Sequence, residues 1–219
     1  TQLVGSLKGE SIGGLDYQSI NKASQTLAGE VVLSNLLTKM MRIVIENAGA
    51  TRGAFIENRK DNLWVLAEGD LSKGIEVGKA VAVSQVQNIP YSIIYYVART
   101  NKVLVLDSAG ETSMYSSDVY LNKMNPASLL CYPITHKGSQ IAIIYLENRL
   151  TQGAFNSERK QVLDILSAQI AISIENARLY EGLDEKVKER TRQLNTKNSE
   201  LAETISKLQT AQSQLVQAE

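Results

Sequence analysis

The sequence predicts an α+β domain, an antiparallel sheet flanked by helices, followed by a long C-terminal coiled-coil helix. Three observations carry this. Short apolar runs bounded by turn residues fill the middle of the chain, between stretches of helical period. The run Gln140 to Glu147 (QIAIIYLE) is apolar in both of its alternating sets, so its strand should be central and covered on both faces. Val187, Leu194, Leu201, Leu208 and Leu215 recur every seven residues, the 3.5-residue period of a left-handed coil.

Taken in order, Asp16 suits an N-cap, and Ile20, Ala23 and Leu27 follow at helical spacing. A second helix runs from Val31, with Leu33, Leu36, Leu37, Met40, Val44 and Ile45 on one face and Gly49 as a left-handed cap. Arg52 to Asn58 (RGAFIEN) and Leu63 to Glu68 (LWVLAE) then read as an antiparallel hairpin, and Val77 to Ser84 as a third strand. Pro90 opens a helix whose core face is Ile93, Ile94 and Val97. Val103 to Leu106 is a brief strand closed by Asp107. Ser108 to Asn125 is the least regular stretch, with a short helix near Ser117 to Lys123. Ser128 to Thr135 (SLLCYPIT) and Gln140 to Glu147 form the last hairpin, around a turn that contains His136, Lys137, Gly138 and Ser139.

From about Asn156 onward the chain is mostly Leu, Ala, Glu, Lys, Gln and Arg, the better helix formers, with Gly182 as the one glycine after Gly153. With Val187 and its series at d positions, the a positions are Asp184, Thr191, Asn198, Ile205 and Gln212. An Asn198 pair would fix a two-stranded register, at a cost in stability. About 60 helical residues extend roughly 90 Å, more than a domain of this size can cover, so the helix calls for a second copy as partner. Gly182 costs about 1 kcal/mol relative to alanine in a helix and marks a soft point between domain and coil.

Composition narrows the function. Lys plus Arg and Asp plus Glu both number 23, so the chain is neutral and offers no nucleic-acid surface. A single cysteine excludes a disulfide framework and suggests a reducing, cytoplasmic setting. No run reaches the roughly 20 apolar residues that span a bilayer. The glycine-rich residues 1–14 read as linker from a larger protein, residues 15–180 as the domain and 181–219 as the coil. One His and one Cys cannot build an ordinary transition-metal site. Nucleophile-elbow and Walker-type phosphate-loop patterns are both absent, so no catalytic residue is assigned.

The stretch SLLCYPITHKGSQIAIIYLENRLTQGAFNSERKQVLDILSAQIAISIENARLYEGL resembles the closing half of a GAF domain, and IPYSIIYYVARTNKVLVLDSAG resembles that family's middle helix and following strand. The likeness runs over roughly Leu15 to Tyr180. KVKERTRQL is similar to the connecting helix of bacterial, cyanobacterial-like, multi-sensor histidine kinases. The resemblance implies a small-molecule-sensing signalling module, or a ligand-free structural spacer, or a domain that reads a protein partner.

The resemblance also places a ligand cavity between the sheet and the middle helix and loop region. Seven of nine tyrosines fall between Tyr91 and Tyr145, and a tyrosine supplies an apolar ring with one polar tip. Tyr91, Tyr95, Asp107, Tyr115, Ser128 and Tyr145 are the expected lining, and the N–H groups after Pro90 could meet an anion. Bilin carriers of the family attach the chromophore to a loop cysteine. Cys131 lies mid-strand and is followed by Tyr132, so covalent bilin is disfavoured and the cofactor stays unassigned. Relatives that bind cyclic nucleotides carry Asn-Lys, Phe and Asp-Glu. This chain has Asn148, Arg149, Phe155, Ser157 and Glu158 at the matching positions, a departure that weakens that reading and leaves Asn148 and Glu158 to tie the last strand to the long helix.

Overall fold

The computed structural model describes residues 17–60, 62–108 and 115–217. The linker 1–14 and the expected cap Asp16 lie outside them. The elements are α1 (Tyr17–Ala28), α2 (Leu33–Ala48), β1 (Arg52–Arg59), β2 (Asn62–Asp70), β3 (Gly74–Ala82), α3 (Tyr91–Thr100), β4 (Leu104–Leu106), α4 (Val119–Met124), β5 (Ser128–His136), β6 (Ser139–Asn148) and α5 (Ser157–Gln217). The strands form one antiparallel sheet in the order β3-β2-β1-β6-β5-β4.

Strand β6 is central, and its two apolar sets serve two cores. Ala142, Ile144 and Leu146 pack with α2 and with the first turns of α5, through Leu37, Met40, Met41, Leu166 and Ile170. Ile143 and Tyr145 face α3 and α4, against Ile93, Ile94, Val97 and Leu121. Each fully buried aliphatic side chain contributes about 1.5–3 kcal/mol of transfer free energy, so both helical layers are held by the same strand.

Turn chemistry fixes the ends of the elements. Gly49 closes α2 in the left-handed region at φ +62°, and a Cβ there would fall on the Arg159 guanidinium. The last hairpin turns through Lys137 (φ +49°) and Gly138 (φ +79°), the two positive angles that a tight two-residue turn requires.

Three local expectations need correction. The third strand runs over Gly74–Ala82, because it starts directly opposite Asp70 and because Val83–Gln85 curl into a 3-10 turn. Pro90 is the N-cap residue of α3 and stands before its first turn; its extended backbone leaves its carbonyl to accept from Ile94 N. His136 ends β5 and is not an exposed turn residue, since its Nε2 lies 2.5 Å from Glu175 Oε2 on α5.

The chain divides into two compact units, one up to Ala177 and one from Arg178. In the second, Val187, Leu194, Asn198, Leu201, Ile205 and Leu208 are all exposed, and Asp184–Lys188 and Glu203–Lys207 pair along the helix at 2.6 Å. The side chain of Leu215 lies outside those described.

Candidate binding site

Strand register gathers charge at one end of the sheet. Arg52, the first residue of β1, stands opposite Glu147 on β6 and opposite Asp70 on β2, so Glu68, two residues before Asp70, shares its face. That face is the α4 side, where Ala54 and Tyr145 also pack. Tyr120 reaches in from α4.

Glu147 is fully buried and its oxygens are well supplied with donors. Oε2 accepts from the hydroxyls of Tyr120 and Tyr145, both at 2.6 Å, and Oε1 accepts from Arg149 Nε at 2.8 Å. Arg52 Nη1 is 3.9 Å from Oε1 and donates to Tyr120 Oη (3.0 Å) and to the Asn88 carbonyl (2.7 Å). Its Nη2 donates to Glu68 Oε2 at 2.7 Å, which also accepts from the Asn88 side chain. A buried carboxylate without such partners would cost several kcal/mol, so the cluster holds together as one unit. Burial, and then the Glu147 charge, push the Tyr120 hydroxyl up to about 12 and the Tyr145 hydroxyl well above its ordinary range. Both phenols therefore stay protonated and keep donating.

Above this cluster lies an open cleft of about 500 Å³. Arg52, Glu68, Tyr120 and Arg149 line it, and Lys73, Glu76 and Lys123 add further charge to the lining. The lining carries both signs of charge, so it suits a small polar molecule better than an apolar one.

None of the six expected lining residues borders this cleft. Tyr145 comes nearest in the network, since it shares Glu147 with Tyr120. Tyr91 is half-exposed and stacks on Tyr95, with ring centroids 4.1 Å apart. Asp107 is exposed, and its carbonyl accepts from Gly153 N. Ser128 is buried and bridges the Thr151 carbonyl and Ala154 N. Tyr115 is buried against Tyr96, with a hydroxyl that has no hydrogen-bond partner among the described residues. The space between sheet and α3, one part of the region where the resemblance puts a cavity, is packed by Ile93, Ile94, Val97, Cys131, Ile143 and Tyr145; residues 109–114 of the loop part lie outside the described residues.

Other expectations are also redirected. The N–H groups after Pro90 are not open to an anion at Ser92, because Asp118 Oδ2 accepts from its backbone N (2.9 Å) and its Oγ (2.6 Å). Asp118 Oδ1 caps α4 at Tyr120 N and Leu121 N, so one carboxylate ties two helix starts together. Asn148 does not tie β6 to α5: its amide donates to the Gly49 carbonyl, and its Oδ1 accepts from Leu150 N and Thr151 N. Arg149 of the cyclic-nucleotide pattern is engaged by Glu147, and Phe155 is buried in the core. Cys131 is fully buried in β5, and burial raises its thiol far above the usual value. Among the described residues, no group of three or more His, Cys, Asp or Glu could hold a metal ion, and no helix is long and apolar enough to cross a membrane.

Sequence reasoning missed Arg52, Glu68, Tyr120 and Glu147. The one sequence signal was a charged residue at the end of each of three apolar strands. Its meaning depends on the register that brings those ends together.

Residues 32–174 match the GAF domain family, so the chain belongs to that family. It is 42% identical over 93 residues, 42% of this chain, to the hybrid signal transduction histidine kinase G of Dictyostelium discoideum. It is 29% identical over 185 residues, 83% of this chain, to the peroxide stress-activated histidine kinase mak3 of Schizosaccharomyces pombe. The chain spans only 3% and 8% of the length of these two relatives. Both are eukaryotic, so they lend no support to the bacterial setting expected from the resemblance. Among solved structures, the GAF domain of an Acinetobacter phosphoenolpyruvate-protein phosphotransferase superposes with a TM-score of 0.58 at 17% identity, covering 74% of this chain and 93% of that one. That likeness establishes the fold alone.

Proposed function

We propose that this GAF domain is the non-catalytic regulatory module of a cytoplasmic signal-transduction histidine kinase. It binds a small polar molecule in the cleft and passes the change to its C-terminal helix, which pairs with a second copy as a coil. The observation that carries this reading is the continuity from cleft to helix. Tyr120 and Arg149 line the cleft and both hold Glu147, which sits on β6. The opposite face of β6 carries Ile144 and Leu146, packed with Leu166 and Ile170 of α5. A ligand that favours one arrangement of Tyr120 and Arg149 over another biases β6 and the helix packed on it. It shifts the balance only by its difference in affinity for the two arrangements.

A second reading also has a specific observation behind it. The space between sheet and α3 is filled with side chains, which suits a ligand-free spacer. Native mass spectrometry of freshly purified chain separates the two. The sensor reading predicts a dimer with a reproducible added mass that disappears in the exposed cleft variant Lys73→Glu/Lys123→Glu. A dimer at the bare sequence mass, with no added species, supports the spacer.

A further inference from the structure

We propose that the molecule held in the cleft is a zwitterion, a free amino acid, whose acid group is taken by Lys123 and Lys73 and whose ammonium group is taken by Glu76 and Glu68. This rests on the sensor reading above and names the ligand class of the same site.

The charges of the cleft point to it. Arg52 and Arg149 are already matched: Arg52 donates to Glu68 and lies 3.9 Å from Glu147, and Arg149 donates to Glu147. Four further charged side chains line the cleft, Asp70 and Glu76 against Lys73 and Lys123, so the remaining charge sums to zero. Asp70 turns its Oδ1 to Ser72, which donates from its backbone N and its hydroxyl. Glu76, Lys73 and Lys123 are exposed, and their side chains have no hydrogen bond or ion pair among the described residues. The free groups are thus a carboxylate and two ammonium groups that face one space.

Register sets the negative charges side by side. Glu76 on β3 stands directly opposite Glu68 on β2, which places their Cβ atoms about 4.5–5.5 Å apart, an arrangement in which like charges repel. Arg52 and Asn88 both donate to Glu68 Oε2, so Glu76 is the carboxylate left unmatched. A ligand ammonium that donates to both relieves that repulsion with charge-assisted hydrogen bonds. The positive charges come from other segments, Lys123 from the last turn of α4 and Lys73 from the turn between β2 and β3. A simple anion would answer the lysines and add to the repulsion at Glu68 and Glu76, and a simple cation would do the converse. A polyphosphate fits worse still, because the last turn of a helix presents carbonyl groups and not the amide groups that hold phosphate. The volume of about 500 Å³ lies within the range of small-molecule sites.

Isothermal titration calorimetry on the dialysed full chain tests this, with each standard L-amino acid as probe. For the tightest binder, its two halves follow: the carboxylic acid without the amino group, and the amine without the carboxylate. At least one amino acid should bind with Kd below about 1 mM, and each half at least about tenfold more weakly. Glu76→Gln should weaken the amino acid about tenfold without weakening the acid half, and Lys123→Gln should weaken it without weakening the amine half. Both side chains are exposed, so neither change threatens the fold. A half that binds as tightly as the whole, or an amino acid whose affinity neither variant alters, would overturn the inference. So would a failure of every amino acid to bind. In that case, an added mass in native mass spectrometry that the cleft variant loses would leave the sensor standing with another class of ligand, and its absence would overturn both.

Discussion

Glu147 is the residue on which the site's chemistry turns. It is fully buried, and two tyrosine hydroxyls and one arginine converge on it. Glu147→Ala removes the acceptor and leaves Arg149 and two phenols facing an unpaired gap. We expect a loss of about 3–5 kcal/mol in urea unfolding, the cost of breaking a buried charge cluster on one side. A loss below about 1 kcal/mol would mean that the cluster is open to water. Tyr120 gives the site a pH dependence with a definite sign. Its hydroxyl ionises at about 12 in the fold, against 10.0 ordinarily, chiefly through burial and then through Glu147. The unfolded chain sheds this proton first. The stabilisation is thus complete below pH 10 and is lost as pH rises toward 12. Tyr120→Phe should therefore lose less stability over that interval than the parent chain. Some decline should persist in the variant, since burial also raises Tyr132 to about 12.

At the scale of elements, most of the fold was legible because local signals and tertiary packing agree. The double apolar set of β6 revealed a central strand, and both sets do pack against helices. Gly49 revealed the end of α2 because only a glycine accepts that turn without strain. The errors arose where a distant partner decides. Asp118 occupies the start of α3 from 26 residues away, which no local reading of Pro90 could reveal. Asn148 turns to Gly49 across 99 residues, away from the nearby long helix. The six expected lining residues were chosen by residue type and by resemblance. The structure spreads them over a packed core and the outer surface, and the polar cleft is built instead from residues that meet only through strand register.

At the scale of the whole molecule, the account joins a folded GAF domain to an exposed heptad series, which makes self-association its central claim. The measurement that bears on it most directly is sedimentation equilibrium of the intact chain over a range of concentrations, beside the variant Leu194→Lys/Leu201→Lys. The account predicts a mass twice the 24.0 kDa of the chain, and a return to 24.0 kDa in the variant, whose lysines would face each other across the seam. An intact chain that stays at 24.0 kDa across the range would contradict it.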